Sequence, residues 1–173
     1  MSDALLPEGG IDSLTRLYNV QFLHKVLAYE TARADRYEVH LTMLLIDVNH
    51  LRQVNEVHGR DAGDKVLKDL GGVLQSTVRN VDFVFRFGGD EFAIVLPHTD
   101  LHGSSHVRRR IMDRLEPFDL PSKLGAVNIT VTIAASEYRR GSHFETLIRE
   151  AEVAMMKAKG RDGDDTMGVP AYV

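Results

Sequence analysis

Phe83-Val84-Phe85-Arg86-Phe87-Gly88-Gly89-Asp90-Glu91-Phe92-Ala93-Ile94-Val95-Leu96 is the stretch whose reading decides the fold. Two short runs of aromatic and β-branched residues, Phe83–Phe87 and Phe92–Leu96, flank Gly88-Gly89. Glycine accepts the positive φ that tight hairpin turns need, so the two runs are predicted to pair antiparallel. Upstream, Leu41–Val48 is a continuous apolar run closing on Asp47-Val48, the pattern of a strand covered on both faces. If that strand neighbours the hairpin, Asp47, Asp90 and Glu91 converge at one edge of the sheet.

The remaining segments surround this core with helices. Asn19 can cap a helix to about Arg36 that carries Leu23, Val26 and Leu27 on one face. A helix is also predicted over Asp61–Val78, with Ala62, Val66, Leu67, Leu70, Val73 and Leu74 in phase, and another over Leu101–Leu115. Val127–Ile133 alternates, as a half-buried strand does. A last apolar stripe runs from Phe144 to Ala158, with Ser142 and Glu145 spaced as a capping box. Strands and helices in this order, around a central hairpin, predict an α/β (α+β) sandwich: a mostly antiparallel sheet of about five strands covered by helices.

Composition narrows the function classes. The chain has 173 residues, the size of one domain, and a net charge of -4. An acidic balance argues against nucleic acid as partner, since binding to phosphate backbones needs a basic excess. With no cysteine there is neither a disulfide framework nor a thiolate metal site. No apolar run approaches a membrane span and no signal-peptide pattern opens the chain, so a cytoplasmic domain without membrane contact is expected. The eight histidines are read as surface or core residues.

A carboxylate cluster with no His or Cys beside it offers hard oxygen ligands, which suit Mg²⁺, with Mn²⁺ as a substitute. Mg²⁺ takes one or two carboxylates and completes its shell with water and substrate phosphates, so the cluster points to a nucleoside triphosphate. On spacing alone, a strand-end cap at Asp47 and a solvated turn at Asp90-Glu91 account for the same residues equally well.

The string Arg86-Phe87-Gly88-Gly89-Asp90-Glu91-Phe92 resembles the signature of the GGDEF family, the diguanylate cyclases. The resemblance extends to Asp12-Ser13-Leu14-Thr15-Arg16-Leu17-Tyr18-Asn19, to Asp47-Val48-Asn49-His50-Leu51-Arg52 with Asn55, to Gly59 and Gly63-Asp64, and to Ala154–Lys159. These motifs fall in family order over residues 12 to about 161. The resemblance implies a nucleotidyl-cyclase, palm-like sandwich over 12–166, between a linker at 1–11 and a tail at 167–173. It implies a Mg²⁺-dependent cyclase that joins two GTP into cyclic di-GMP and pyrophosphate as a homodimer, under a covalently linked sensory domain.

On that resemblance, Asp47, the Val48 carbonyl and Asp90 bind the metal, and Glu91 serves the attacking 3′-hydroxyl as second-metal ligand or base. Arg52 stands where a lysine near the triphosphate is usual, and Lys159 matches a second phosphate-contacting lysine. Asn55 and Asp64 match the guanine-reading pair, with Arg60 in place of a histidine, and Gly88 and Gly89 let the backbone approach the α-phosphate. Arg79-Asn80-Val81-Asp82 resembles the family's R-x-x-D product-inhibition site, which Arg110 on the following helix would complete. Other departures are Asn49 for an acid, Glu56 for an aspartate, Ala134 for a glycine, Met156 for a tyrosine and a missing spacer before Gly160-Arg161. They leave open a second reading, a weakly catalytic module that binds cyclic di-GMP or GTP as a receptor, and a third, a cyclase with another cyclic product.

Overall fold

The computed structural model describes residues 9–115 and 130–161. The chain runs β1 (Tyr18–Asn19), α1 (Val20–Tyr37), β2 (Leu41–Val48), α2 (Leu51–His58), α3 (Arg60–Thr77), β3 (Phe83–Arg86), β4 (Glu91–Pro97), α4 (Leu101–Leu115), β5 (Val131–Glu137) and α5 (Phe144–Arg161). The five strands lie in the order β1-β3-β4-β2-β5. Only the two-residue β1 pairs in parallel; β3–β4, β4–β2 and β2–β5 are antiparallel. The predicted open sheet under helices is therefore present, with β2 and β4 at its centre.

Period-two alternation divides the core between two faces of this sheet. Leu44, Ile46 and Val48 of β2 pack with Phe92, Ile94 and Leu96 of β4 under α2, α3 and α4. Met43 and Leu45 pack with Ala93 and Val95 under α1 and α5 on the other side. Because both faces are covered, all eight residues of β2 are buried. The same cover explains β5: its first four residues are all buried, whereas alternation in the sequence predicts a half-buried strand. The strand also extends beyond Ile133 to Glu137, and Val127–Ile129 lie outside the described residues.

Local chemistry sets the helix ends. Asn19 caps α1 as expected, its Oδ1 accepting from the Phe22 N–H at 3.1 Å. Asp100 caps α4, accepting from the Gly103 N–H at 2.6 Å. The Ser142–Glu145 capping box is not what starts α5: the helix begins at Phe144, leaving His143 at the cap position, while the Ser142 carbonyl accepts from Tyr138 Oη at 2.9 Å. At its other end α5 continues through Gly160 and Arg161, where the sequence reads as loop. Among the described residues, no helix is long and apolar enough to cross a membrane.

Candidate active site

The register of the two central strands builds the site. Asp47, next to last in β2, pairs directly with Glu91, the first residue of β4. Both stand on the α1/α5 face, in the same alternation as Met43 and Leu45 and as Ala93 and Val95. The Val48 N–H donates to the Asp90 carbonyl at 3.0 Å, which fixes the signature loop against the end of β2. Two like charges at paired positions are destabilising unless something of opposite sign joins them. Burial pushes the Glu91 carboxyl above its usual range, and the charges of Asp47 and Asp90 push further, against the pull of Lys159. Burial likewise raises Asp47, with Lys159 lowering it and Asp90 raising it.

Asp90 itself is exposed on the loop. Among the described residues, no three His, Cys, Asp or Glu side chains are disposed to hold a metal ion by themselves. Convergence is thus real for Asp47 and Glu91 and incomplete for Asp90. The donor set still fits Mg²⁺, which needs only one or two carboxylates before phosphate and water complete its shell. The crowded acid pair is what such a cation would relieve.

The loop between β3 and β4 is a hairpin, but not for the reason that its glycines suggest. Positive φ among the described glycines occurs at Gly9, Gly59 and Gly141, not at Gly88 or Gly89. A Cβ at position 88 would lie 3.0 Å from Glu91 Oε2, close enough that the carboxylate would have to shift by a few tenths of an ångström. Arg86 holds the loop from within, its Nε donating to the Gly88 carbonyl at 2.8 Å and Nη2 to the Gly89 carbonyl. Its Nη1 lies 3.6 Å from Asp12 Oδ1. Burial acts to raise the Asp12 carboxyl, but hydrogen bonds from Thr15 and the Arg86 charge outweigh it and hold the group below its usual range. Arg86 thus holds the signature loop in place, a role that the sequence reading did not assign to it. Its signal was an arginine two residues ahead of a glycine pair whose carbonyls need donors.

Asn49 is one departure from the family pattern. Its Nδ2 donates to Thr130 Oγ1 at 3.0 Å, its Oδ1 accepts from Thr132 Oγ1 at 3.2 Å, and its N–H donates to the Thr130 carbonyl at 2.8 Å. An amide both donates and accepts, and Asn49 uses both capacities in this bridge to Thr130 and Thr132.

Asn55 lies on α2 and Asp64 in the first turns of α3, on either side of the α2–α3 junction. Gly59, at φ 85°, makes the break between these helices in a conformation that glycine tolerates best. Asn55 Oδ1 is buried without a hydrogen-bond partner. A Cβ on Gly63 would come within 1.9 Å of that oxygen, so the glycine is what lets the amide sit there. A buried orphan acceptor costs free energy until a donor arrives. Asp64 is exposed beside Gly63, and Arg60 is exposed at the start of α3. Arg52 is held in an exposed pair with Glu56, Nε to Oε1 2.8 Å. Lys159, on the last turn of α5, is paired with Asp47: its Nζ lies 2.6 Å from Asp47 Oδ2.

A second polar cluster lies on the turn before β3. Asp82 Oδ2 accepts from the Arg79 N–H at 2.8 Å, while Oδ1 is buried without a partner. Burial raises the Asp82 carboxyl above its usual range, although the Arg79 N–H, the Arg79 charge and the Arg110 charge pull it back. Arg110 on α4 is therefore near enough to act on Asp82, so the structure brings these three predicted residues together.

Residues 10–165 match the family described as diguanylate cyclase, GGDEF domain. The chain is a GGDEF domain. Relatives of this GGDEF domain include the diguanylate cyclase DosC of Escherichia coli, 34% identical over 155 residues, covering 89% of this chain and 34% of DosC. The diguanylate cyclase DgcP of Pseudomonas aeruginosa is 33% identical, covering 87% of the chain and 23% of DgcP. The chain thus spans about a third or less of the length of these relatives. Among solved structures, the diguanylate cyclase SiaD of Pseudomonas aeruginosa, in complex with its activator SiaC, superposes with a TM-score of 0.87 at 31% identity, covering 97% of this chain and 64% of SiaD. The GGDEF domain of TpbB (YfiN) from the same organism gives 0.82 at 28% identity, covering 92% of each chain.

Proposed function

We propose that this GGDEF domain is a diguanylate cyclase that condenses two GTP into cyclic di-GMP and two pyrophosphates. The observation that carries the reading is the Asp47–Glu91 pair, placed at matched positions of the two central strands beside the Asp90 loop. Asp47, the Val48 carbonyl and Asp90 would hold Mg²⁺, with Mn²⁺ as a substitute. That ion would supply charge neutralisation on the phosphates and a lowered pKa for the attacking hydroxyl. Asn55 Oδ1 accepts from the guanine edge, with Asp64 beside it, and Gly88 and Gly89 admit the phosphates close to the backbone. Glu91 takes the 3′-hydroxyl proton as that oxygen attacks the α-phosphate of GTP on a second copy, and pyrophosphate leaves. A second such step closes the ring. Each copy positions one substrate, so catalysis needs a homodimer, and rate should rise more steeply than linearly with protein concentration.

The cluster of Arg79, Asp82 and Arg110 supports product inhibition. Asp82 Oδ1 lacks a donor that guanine N1 or N2 would provide, and arginines suit guanine O6 and N7. The same cluster favours the receptor reading if turnover is absent. Incubation of the protein with GTP and Mg²⁺ at high concentration, followed by mass analysis, tests the proposal. Cyclic di-GMP with pyrophosphate, lost in Asp90→Ala, is the expected outcome. Intact GTP, even with dimers enforced by cross-linking, would leave a receptor.

A further inference from the structure

Asp47 is 5% exposed and lies opposite Glu91, yet its Oδ2 is held at 2.6 Å by Lys159 Nζ. A buried carboxylate beside a second carboxylate is costly unless a cation accompanies it. Here the cation comes from the chain itself, on a flexible stem at the end of α5, with 45% of the lysine side chain still exposed. A divalent ion approaching the same carboxylate oxygen must displace the ammonium, because two cations at one oxygen repel strongly. Triphosphate oxygens arriving with the ion offer the displaced ammonium an equivalent partner.

We propose that Lys159 is the resident counter-ion of Asp47, and that its transfer from Asp47 to the incoming triphosphate makes metal and nucleotide binding depend on each other. Metal alone has to break an ion pair and leave the lysine without a partner. Nucleotide alone has to draw the lysine off a buried acid and leave Asp47 bare. Only together do both charges find partners, so the two ligands bind with positive coupling. Lys159 is on this account a positioning residue. The inference rests on the reading of Asp47 as a metal ligand.

The test measures Mn²⁺ binding by electron paramagnetic resonance, with and without the non-reacting analogue α,β-methylene-GTP. In the wild-type protein the analogue should tighten Mn²⁺ binding at least about tenfold, the usual scale of coupling between sites. Lys159→Met keeps the stem and removes the charge. It should bind Mn²⁺ alone roughly tenfold more tightly than wild type and lose most of the coupling. Lys159→Arg retains the charge and should retain the coupling, which separates a lost charge from a damaged fold. Mn²⁺ binding that is abolished by Asp47→Ala but unchanged by Lys159→Met overturns the inference and leaves the metal site standing. Binding that ignores Asp47→Ala removes the metal reading itself.

Discussion

The two ends of β2 carry polar groups in opposite states. At the Leu41 end, the Tyr138 N–H donates to the Leu41 carbonyl at 2.8 Å, and Thr42 Oγ1 donates to the Thr99 carbonyl at 2.7 Å. Glu137, opposite Thr42, accepts from the Leu101 N–H at 3.0 Å and lies 2.6 Å from His40 Nδ1. Tyr138 Oη lies within hydrogen-bond distance of Asp35 and of the Ser142 carbonyl. Each polar group there has a partner within the chain. At the Asp47 end the partner across the ladder is another acid, and a single lysine from α5 stands between them. One strand in one sheet is satisfied by the fold at one end and waits for an added cation at the other. Crowded like charges with raised carboxyl pKa values mark a site where stability is given up for binding.

The contrast predicts opposite responses to mutation. The largest effect is expected at the Asp47 end, where Asp90→Ala should lower cyclic di-GMP formation by roughly 10³-fold or more while urea unfolding stays unchanged. Loss of turnover accompanied by an equal loss of stability would mean that the loop acid is structural. Next in size is Gly63→Ala. The new methyl drives Asn55 Oδ1 from its place, and because a side-chain end can rotate away, the cost falls on guanine binding. KM for GTP should rise roughly tenfold, the worth of one buried hydrogen bond, with the melting temperature little changed.

The Leu41 end should behave the other way. Tyr138→Phe removes the hydroxyl that joins Asp35 to the Ser142 turn and should cost about 1 kcal/mol in urea unfolding, with turnover unaltered. A fall in turnover there would show that the two ends of the strand are coupled. The smallest stability effect is expected for Asp82→Asn, which should abolish inhibition by cyclic di-GMP. A carboxyl raised in the folded state stabilises the protein below its unfolded pKa, and that contribution is lost as pH rises through the folded value. Wild type should therefore lose stability relative to Asp82→Asn from about pH 4 upward. Thermal melts of both proteins across that range check the sign.

Most of the frame was legible because it depends on short-range patterns. The apolar run Leu41–Val48, the flanking runs of the hairpin and the 3.6-residue stripes correspond to β2, β3, β4, α1, α3, α4 and α5 within a few residues, whereas no stripe announced the eight-residue α2. Expectations failed where a neighbour distant in sequence sets the outcome. Burial of β5 comes from helices packed on both of its faces, and alternation along one strand cannot report a second cover. The closeness of Gly88 to the Glu91 carboxylate is visible only once the loop is closed. Asn49, where the family has an acid, finds its partners in Thr130 and Thr132, some eighty residues away.

By itself, then, the sequence placed β2, β3, β4 and the helices α1, α3, α4 and α5, together with the motifs that carry the acids, amide and arginines of a GGDEF domain. Those are consequences of local spacing and side-chain type. Tertiary structure alone decided that Asp47 meets Glu91 in register, that Arg86 also reaches Asp12, and that Lys159 rests on Asp47. Strand order and helix docking bring those groups within a few ångströms. Coulomb energy and desolvation depend on that distance and on burial, neither of which is written in the spacing of residues along the chain.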